Sequence, residues 1–116
     1  MTTTQNDPAL TITVDVLKEG SKTSVVCSPE VLTVTDRNSL IVFNLVNPDY
    51  EFPNSGAIVF ADGAGEFPNS WYLDPAYVAV RDRRLTTGEY AYTATVQHKQ
   101  TKEQHSVDPV IKNMNE

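Results

Sequence analysis

The sequence predicts an all-β fold, a two-layer antiparallel or mixed β-sandwich of about seven to eight strands with Greek-key connections. Three observations carry that expectation. Apolar residues alternate with polar ones in period two at residues 10–16 and 90–96. Clusters of Gly, Pro, Asn, Asp and Ser recur at spacings of roughly 8–12 residues, as they do between short strands. No long window carries the i, i+3, i+4, i+7 apolar pattern that an amphipathic helix needs.

Residues 1–8 are polar and read as a flexible N-terminal segment, leaving 9–113 as a single domain. From Leu10 the chain places Leu10, Ile12, Val14 and Val16 on one side and Thr11, Thr13 and Asp15 on the other, the mark of a strand with one face on a core. Residues 18–21 read as a turn. Residues 23–28 form a second strand that Pro29 ends, because proline cannot donate to a ladder. Residues 31–35 form a third strand, closed by the turn-like 36–39.

Residues 40–46 are almost continuously apolar, which suits a strand buried on both faces or lying centrally. Asn47-Pro48-Asp49 breaks it. Residues 57–61 and 77–82 read as further strands. The longest alternation follows, with Tyr90, Tyr92, Ala94 and Val96 opposite Ala91, Thr93, Thr95 and Gln97. Residues 107–112 close the domain, with Pro109 marking an edge or bulge.

Size and charge bound the function. A chain of 116 residues fits one domain with one ordinary core. Its formal charge of −6 opposes whole-surface contact with nucleic acid or anionic membranes, so neither is an expected partner. The one dense basic stretch, Arg81, Arg83 and Arg84, reads as a solvated strand end. No run approaches the roughly 20 apolar residues of a membrane-spanning helix. One cysteine allows no internal disulfide, and no basic, apolar leader opens the sequence, so a reduced cytoplasmic setting is expected.

The order of elements resembles the cupredoxins, the small blue-copper β-sandwich proteins, within the broader cupredoxin- and immunoglobulin-like class. Residues 28–34, Ser-Pro-Glu-Val-Leu-Thr-Val, resemble their P-x-x-L-x-V strand, and residues 40–47 resemble the strand that ends in Asn before a ligand loop. Phe52-Pro53-Asn54 looks like that loop, and Gly88-Glu89-Tyr90-Ala91-Tyr92 resembles the G-x-Y-x-Y/F strand leading to the copper cysteine.

The resemblance stops at the metal. A blue-copper site needs a thiolate, two imidazoles and usually an axial Met. Ala94 stands where that alignment implies the cysteine, Gln97 near the following His, and Asn54 or Ser55 in the region of the first His. Met1 and Met114 lie outside the implied loop. No cofactor is expected. A second resemblance is to the DP-EP family of small bacterial proteins, and more distantly to the AidA/PixA inclusion-body proteins, through Tyr90-Ala91-Tyr92-Thr93 and a closing Asp108-Pro109-Val110-Ile111. Neither family implies a catalytic residue.

Candidate chemistry is sparse. His98 and His105 lack the spacing of a zinc site, and a metal-binding protein with an atypical site would need Glu103 or Asp108 to complete it. Cys27 alternates with Val25 and reads as a small buried residue rather than a nucleophile. Asp49, Glu51, Asp62, Glu66 and Asp74 crowd the middle of the chain without a calcium-loop pattern, and a carbohydrate-active enzyme would have to draw its paired carboxylates from them.

The remaining signal is aromatic. Glu-Phe-Pro-Asn-Ser occurs at 51–55 and again at 66–70, and Trp71 and Tyr72 follow directly. Aromatics on loops give large contact area at small ordering cost. Phe52, Pro53, Phe67, Pro68, Trp71 and Tyr72 are therefore the expected partner-binding surface of a non-enzymatic module that binds protein or a second copy of itself.

Overall fold

The computed structural model describes residues 10–61 and 65–115. The expected loose segment 1–8 lies outside them. Among the described residues there is no helix, and eleven strand segments form two sheets. These are β1 (Leu10–Glu19), β2 (Lys22–Ser28), β3 (Val31–Val34), β4 (Ser39–Leu45), β5 (Tyr50–Glu51), β6 (Ile58–Phe60), β7 (Asn69–Asp74), β8 (Tyr77–Asp82), β9 (Gly88–His98), β10 (Gln104–Val107) and β11 (Val110–Asn113).

The first sheet runs β2-β1-β4-β8-β7. β1 and β2 form a hairpin in which Glu19 opposes Lys22, and Gly20 takes the positive φ of 62° that so short a connection requires. β1 pairs parallel with β4, and the other neighbours are antiparallel. Ile12, Val14 and Val16 on β1 face the second sheet, joined by Ile41, Phe43 and Leu45 on β4 and Val78 and Val80 on β8.

β4 lies centrally but is not buried on both faces. Leu40 is exposed and Val42 and Asn44 are half-covered, so its nearly continuous apolar run includes residues on a half-open outer face. The strand at 69–74 is an addition to the expected set. All six of its residues are exposed, so no alternation of burial marked it.

The second sheet is organised by β9. On one side, β10 and β11 form a single antiparallel line against it, Val107 opposing Ala94 and Val110 opposing Ala91. Asp108 and Pro109 interrupt that line, yet the Pro109 carbonyl still accepts from the Tyr92 amide at 3.0 Å. β3 adds in parallel beyond β11. On the other side, β5 pairs with residues 97–98 and β6 with residues 92–94. Residues 52–57 therefore stand opposite only Thr95 and Val96, and the surplus chain loops out of the sheet.

The core lies between the layers. Phe43 meets Tyr92 edge-on at 5.4 Å, while Phe60 stacks on Phe67 at 3.8 Å. Each such buried side chain contributes on the order of 1.5–3 kcal/mol by leaving water. Cys27 is buried in this core beside Tyr92, as its alternation with Val25 implies.

Candidate functional site

The six expected contact residues do not form one surface. Phe52 is 1% exposed and Phe67 9%, and both belong to the core. The correction has a physical cause: each Phe-Pro pair turns the chain at the edge of the sandwich, and the ring drops inward while the proline stays at the rim. Pro53 is half-covered and Pro68 exposed. Of the four aromatics in that set, Trp71 and Tyr72, at 44% and 42% exposure, are the ones that stay at the surface.

Adjacent residues of a strand point to opposite faces, so Trp71 and Tyr72 separate. Tyr72 pairs with Val78, whose side chain faces the core, and so turns toward the interlayer side at the sandwich edge. Trp71 pairs with Ala79, and Ala79 with Val42, across the outer face of the first sheet. Leu40, Leu73 and Tyr77 are also exposed and apolar. Among the described residues β7 thus pairs only with β8, and its other backbone edge lies open beside an apolar outer face.

On the interlayer side a groove opens between β7 and the 52–57 loop. The Phe52 amide donates to the Pro75 carbonyl at 2.8 Å, which ties the loop to the β7–β8 turn. Asp74 Oδ1 in turn accepts from the Ala76 amide at 2.8 Å and holds that turn closed. One lobe, of about 420 Å³, is lined by Glu51, Gln97, Lys102 and Gln104. A second, of about 260 Å³, has Ile58 and Val78 in its lining. Pro53, Asn54, Ser55 and Tyr72 belong to both lobes.

The first lobe holds a chain of side-chain hydrogen bonds. Gln104 Nε2 donates to Gln97 Oε1 at 3.3 Å, and Gln97 Nε2 donates to Glu51 Oε2 at 2.7 Å. Lys102 Nζ donates to the same Glu51 oxygen at 2.8 Å. These donors, Lys102 first and Gln97 next, hold the Glu51 carboxyl below the usual carboxylate range.

The histidines are placed otherwise than a metal centre requires. His98 and His105 both meet the Tyr50 ring edge-on, at 5.1 and 6.2 Å. His98 Nδ1 accepts the Gln100 and Thr101 amides at 3.2 and 3.4 Å, so that nitrogen is engaged in the turn. His105 Nε2 lies 3.5 Å from Glu103 Oε1. Asp108 accepts from the Thr93 hydroxyl at 2.7 Å. Among the described residues, no three of His, Cys, Asp and Glu gather as a metal-binding group. Ala94, where the resemblance implies a copper thiolate, is fully buried core.

The acidic residues also disperse. Asp49 is exposed, Asp74 serves its turn, and Asp62 lies outside the described residues. Glu66 and Asp82 do come together, but in a sealed network that sequence reading missed. Asn113 Nδ2 donates to Glu66 Oε1 and to Asp82 Oδ1, each at 3.0 Å. The Arg84 amide donates to Asp82 Oδ1 at 2.9 Å, and the Leu85 and Thr86 amides donate to Glu66. Burial, above all, pushes the Asp82 carboxyl up.

The basic stretch is divided rather than uniformly solvated. Arg81 donates to Asn38 Oδ1 at 2.7 Å at the surface, whereas Arg84 is buried with a positive φ of 51°.

Comparison with protein-family models gives no match, and neither does comparison with curated proteins. Among the described residues no helix is long and apolar enough to cross a membrane.

Proposed function

We propose that this chain is a non-enzymatic interaction module that contacts protein through β7 and the apolar outer face beside it. The observation that carries this reading is β7 itself, an edge strand exposed along its whole length with Trp71, Tyr72 and Leu73 at its centre. Sheet edges offer a row of unpaired amides and carbonyls, and natural edges are commonly blunted by Lys, Pro or burial. Residues 69–74 contain neither Lys nor Pro, and a bulge at Leu73 is the one break in their pairing with β8. Pairing adds main-chain hydrogen bonds, and the adjoining Trp71, Leu73 and Tyr77 supply apolar area to a partner laid against the face.

A second copy of the chain is the partner that this surface fits most directly. An antiparallel pairing of β7 with itself is isologous and closes with two-fold symmetry. The scaffold reading that accompanies this proposal is a cupredoxin-like sandwich without copper. It is supported by the alanine in the core at position 94. A catalytic role for the paired carboxylates is disfavoured because Glu66 and Asp82 are both buried beneath the surface.

Size-exclusion chromatography with light scattering tests the proposal. The parent protein is expected to associate with increasing concentration, and the Trp71→Ser, Leu73→Ser double variant to remain monomeric and folded. Equal masses for both proteins at every concentration, with no loss of co-purified protein, would count against β7.

A further inference from the structure

We infer that the groove between β7 and the 52–57 loop is a binding site for a neutral, polyhydroxylated ligand of the saccharide class. The lobes of about 420 and 260 Å³ meet at Tyr72 and residues 53–55, so one ligand can occupy both. Their combined size falls within the roughly 300–1,000 Å³ of small-molecule sites.

The chemistry of the lining selects the class. Glu51, Gln97 and Gln104 present planar groups joined in one hydrogen-bonded chain. An amide carries two N–H donors and two acceptor lone pairs. The internal chain uses one donor of Gln97, one of Gln104 and one acceptor position of Gln97, so both amides retain capacity for a ligand. A hydroxyl both donates and accepts, and vicinal hydroxyls match such mixed planar groups. Because the chain already fixes the side chains, little rotamer entropy is lost when a ligand joins it.

Charge argues for neutrality. Glu51 and Lys102 line the first lobe, and they cancel across 2.8 Å. A charged ligand would have to compete with this pair for its counter-charge, whereas a neutral ligand leaves the pair intact. Tyr72 supplies the complementary feature. Its half-exposed ring stands beside a lobe lined by Ile58 and Val78, an apolar strip against which the C–H face of a sugar ring can lie.

The site adjoins the outer face proposed for protein contact, and Trp71 lines its second lobe. Tyr72 lines both lobes, whereas Leu73, which sits in a β-bulge between Tyr72 and Asp74, lines neither. A variant at Leu73 therefore reports on protein contact alone, and one at Gln97 or Gln104 on the groove alone.

The test is a ¹H–¹⁵N correlation titration of the whole chain with four neutral oligosaccharides: maltohexaose, cellohexaose, xylohexaose and N-acetylchitohexaose. Oligogalacturonate serves as the charged control. At least one neutral oligomer is expected to shift the Gln97 and Gln104 side-chain amides saturably. The Gln97→Ala, Gln104→Ala double variant and the Tyr72→Ala variant should each weaken that binding about tenfold or more, roughly 1.4 kcal/mol. Leu73→Ser should leave it unchanged while lowering self-association. Three results would overturn the inference: no saturable shift with any neutral oligomer at roughly 10 mM, shifts that map away from the groove or survive both groove variants, or tighter binding of oligogalacturonate.

Discussion

Asn113, on the strand that closes the second sheet, donates its side-chain amide to Asp82 Oδ1 on the first sheet at 3.0 Å, and both residues are fully buried. The same amide reaches Glu66 at 3.0 Å. One neutral donor thus serves two carboxylates inside the sandwich. Among the described residues, Asp82 Oδ2 and Asn113 Oδ1 have no hydrogen-bond partner. A buried charge so thinly compensated is destabilising, and its cost depends on pH.

Asp82→Asn is expected to stabilise the protein at neutral pH. The raised Asp82 pKa means the folded state binds the proton more tightly than the unfolded state. The favourable contribution is therefore complete below the ordinary Asp value and is lost as pH rises through the folded value. Asparagine keeps an oxygen for the Arg84 and Asn113 donors and removes the charge. Thermal melts should show a gain at pH 7 of a few degrees that shrinks as the pH falls through the raised folded value and is gone below the ordinary Asp value. A gain independent of pH would show that the charge is not its source.

Asn113→Ala should act in the opposite direction. It strips the shared donor from two buried carboxylates, a loss on the order of 2–3 kcal/mol for unsatisfied buried groups. Combining it with Asp82→Asn should cost less than the sum of the single effects predicts, since one of the stranded charges is gone. Strict additivity in urea denaturation would mean that the two residues do not share the network.

The layers were legible wherever a strand has one dry face. β1 and β9 alternate because water lies on one side only, and Tyr77–Asp82 matches its expected bounds. β7 and β10 escaped because neither buries a full face. The Glu66–Asp82–Asn113 network escaped for another reason. Asn113 lies 47 positions from Glu66 and 31 from Asp82, and only the packing of the two sheets brings them together. The Phe-Pro-Asn-Ser echo was visible, but its rings were assigned to the surface. A bulky ring beside a turn proline at a sheet margin is a plug for the open end, and Phe52 and Phe67 both serve in that way.

That division of the aromatics gives a stability contrast. Phe52→Ala and Phe67→Ala should each cost about 3–5 kcal/mol, the range for emptying a buried aromatic site. Trp71→Ser should stay within about 0.5 kcal/mol in dilute solution, as an exposed position does. Chemical denaturation of the three variants checks the contrast. A large loss at Trp71 together with small losses at Phe52 and Phe67 would invert the assignment of surface and core.

Cys27 supplies a probe of how firmly the layers close. Burial pushes its thiol up to about 11, with the neighbouring Tyr92 hydroxyl partly offsetting the rise. The thiolate is the reactive species, and at pH 8 only about one thiol in a thousand would be ionised at that pKa, against roughly one in four for a free cysteine. Ellman's reagent should therefore react slowly with the native protein, by at least two orders of magnitude relative to the urea-unfolded chain. Raising the pH toward 10 should speed the native reaction about tenfold per unit, as the ionised fraction grows. Rapid stoichiometric labelling at pH 8, under conditions where the sandwich remains folded, would place Cys27 at an accessible edge rather than in the core beside Tyr92.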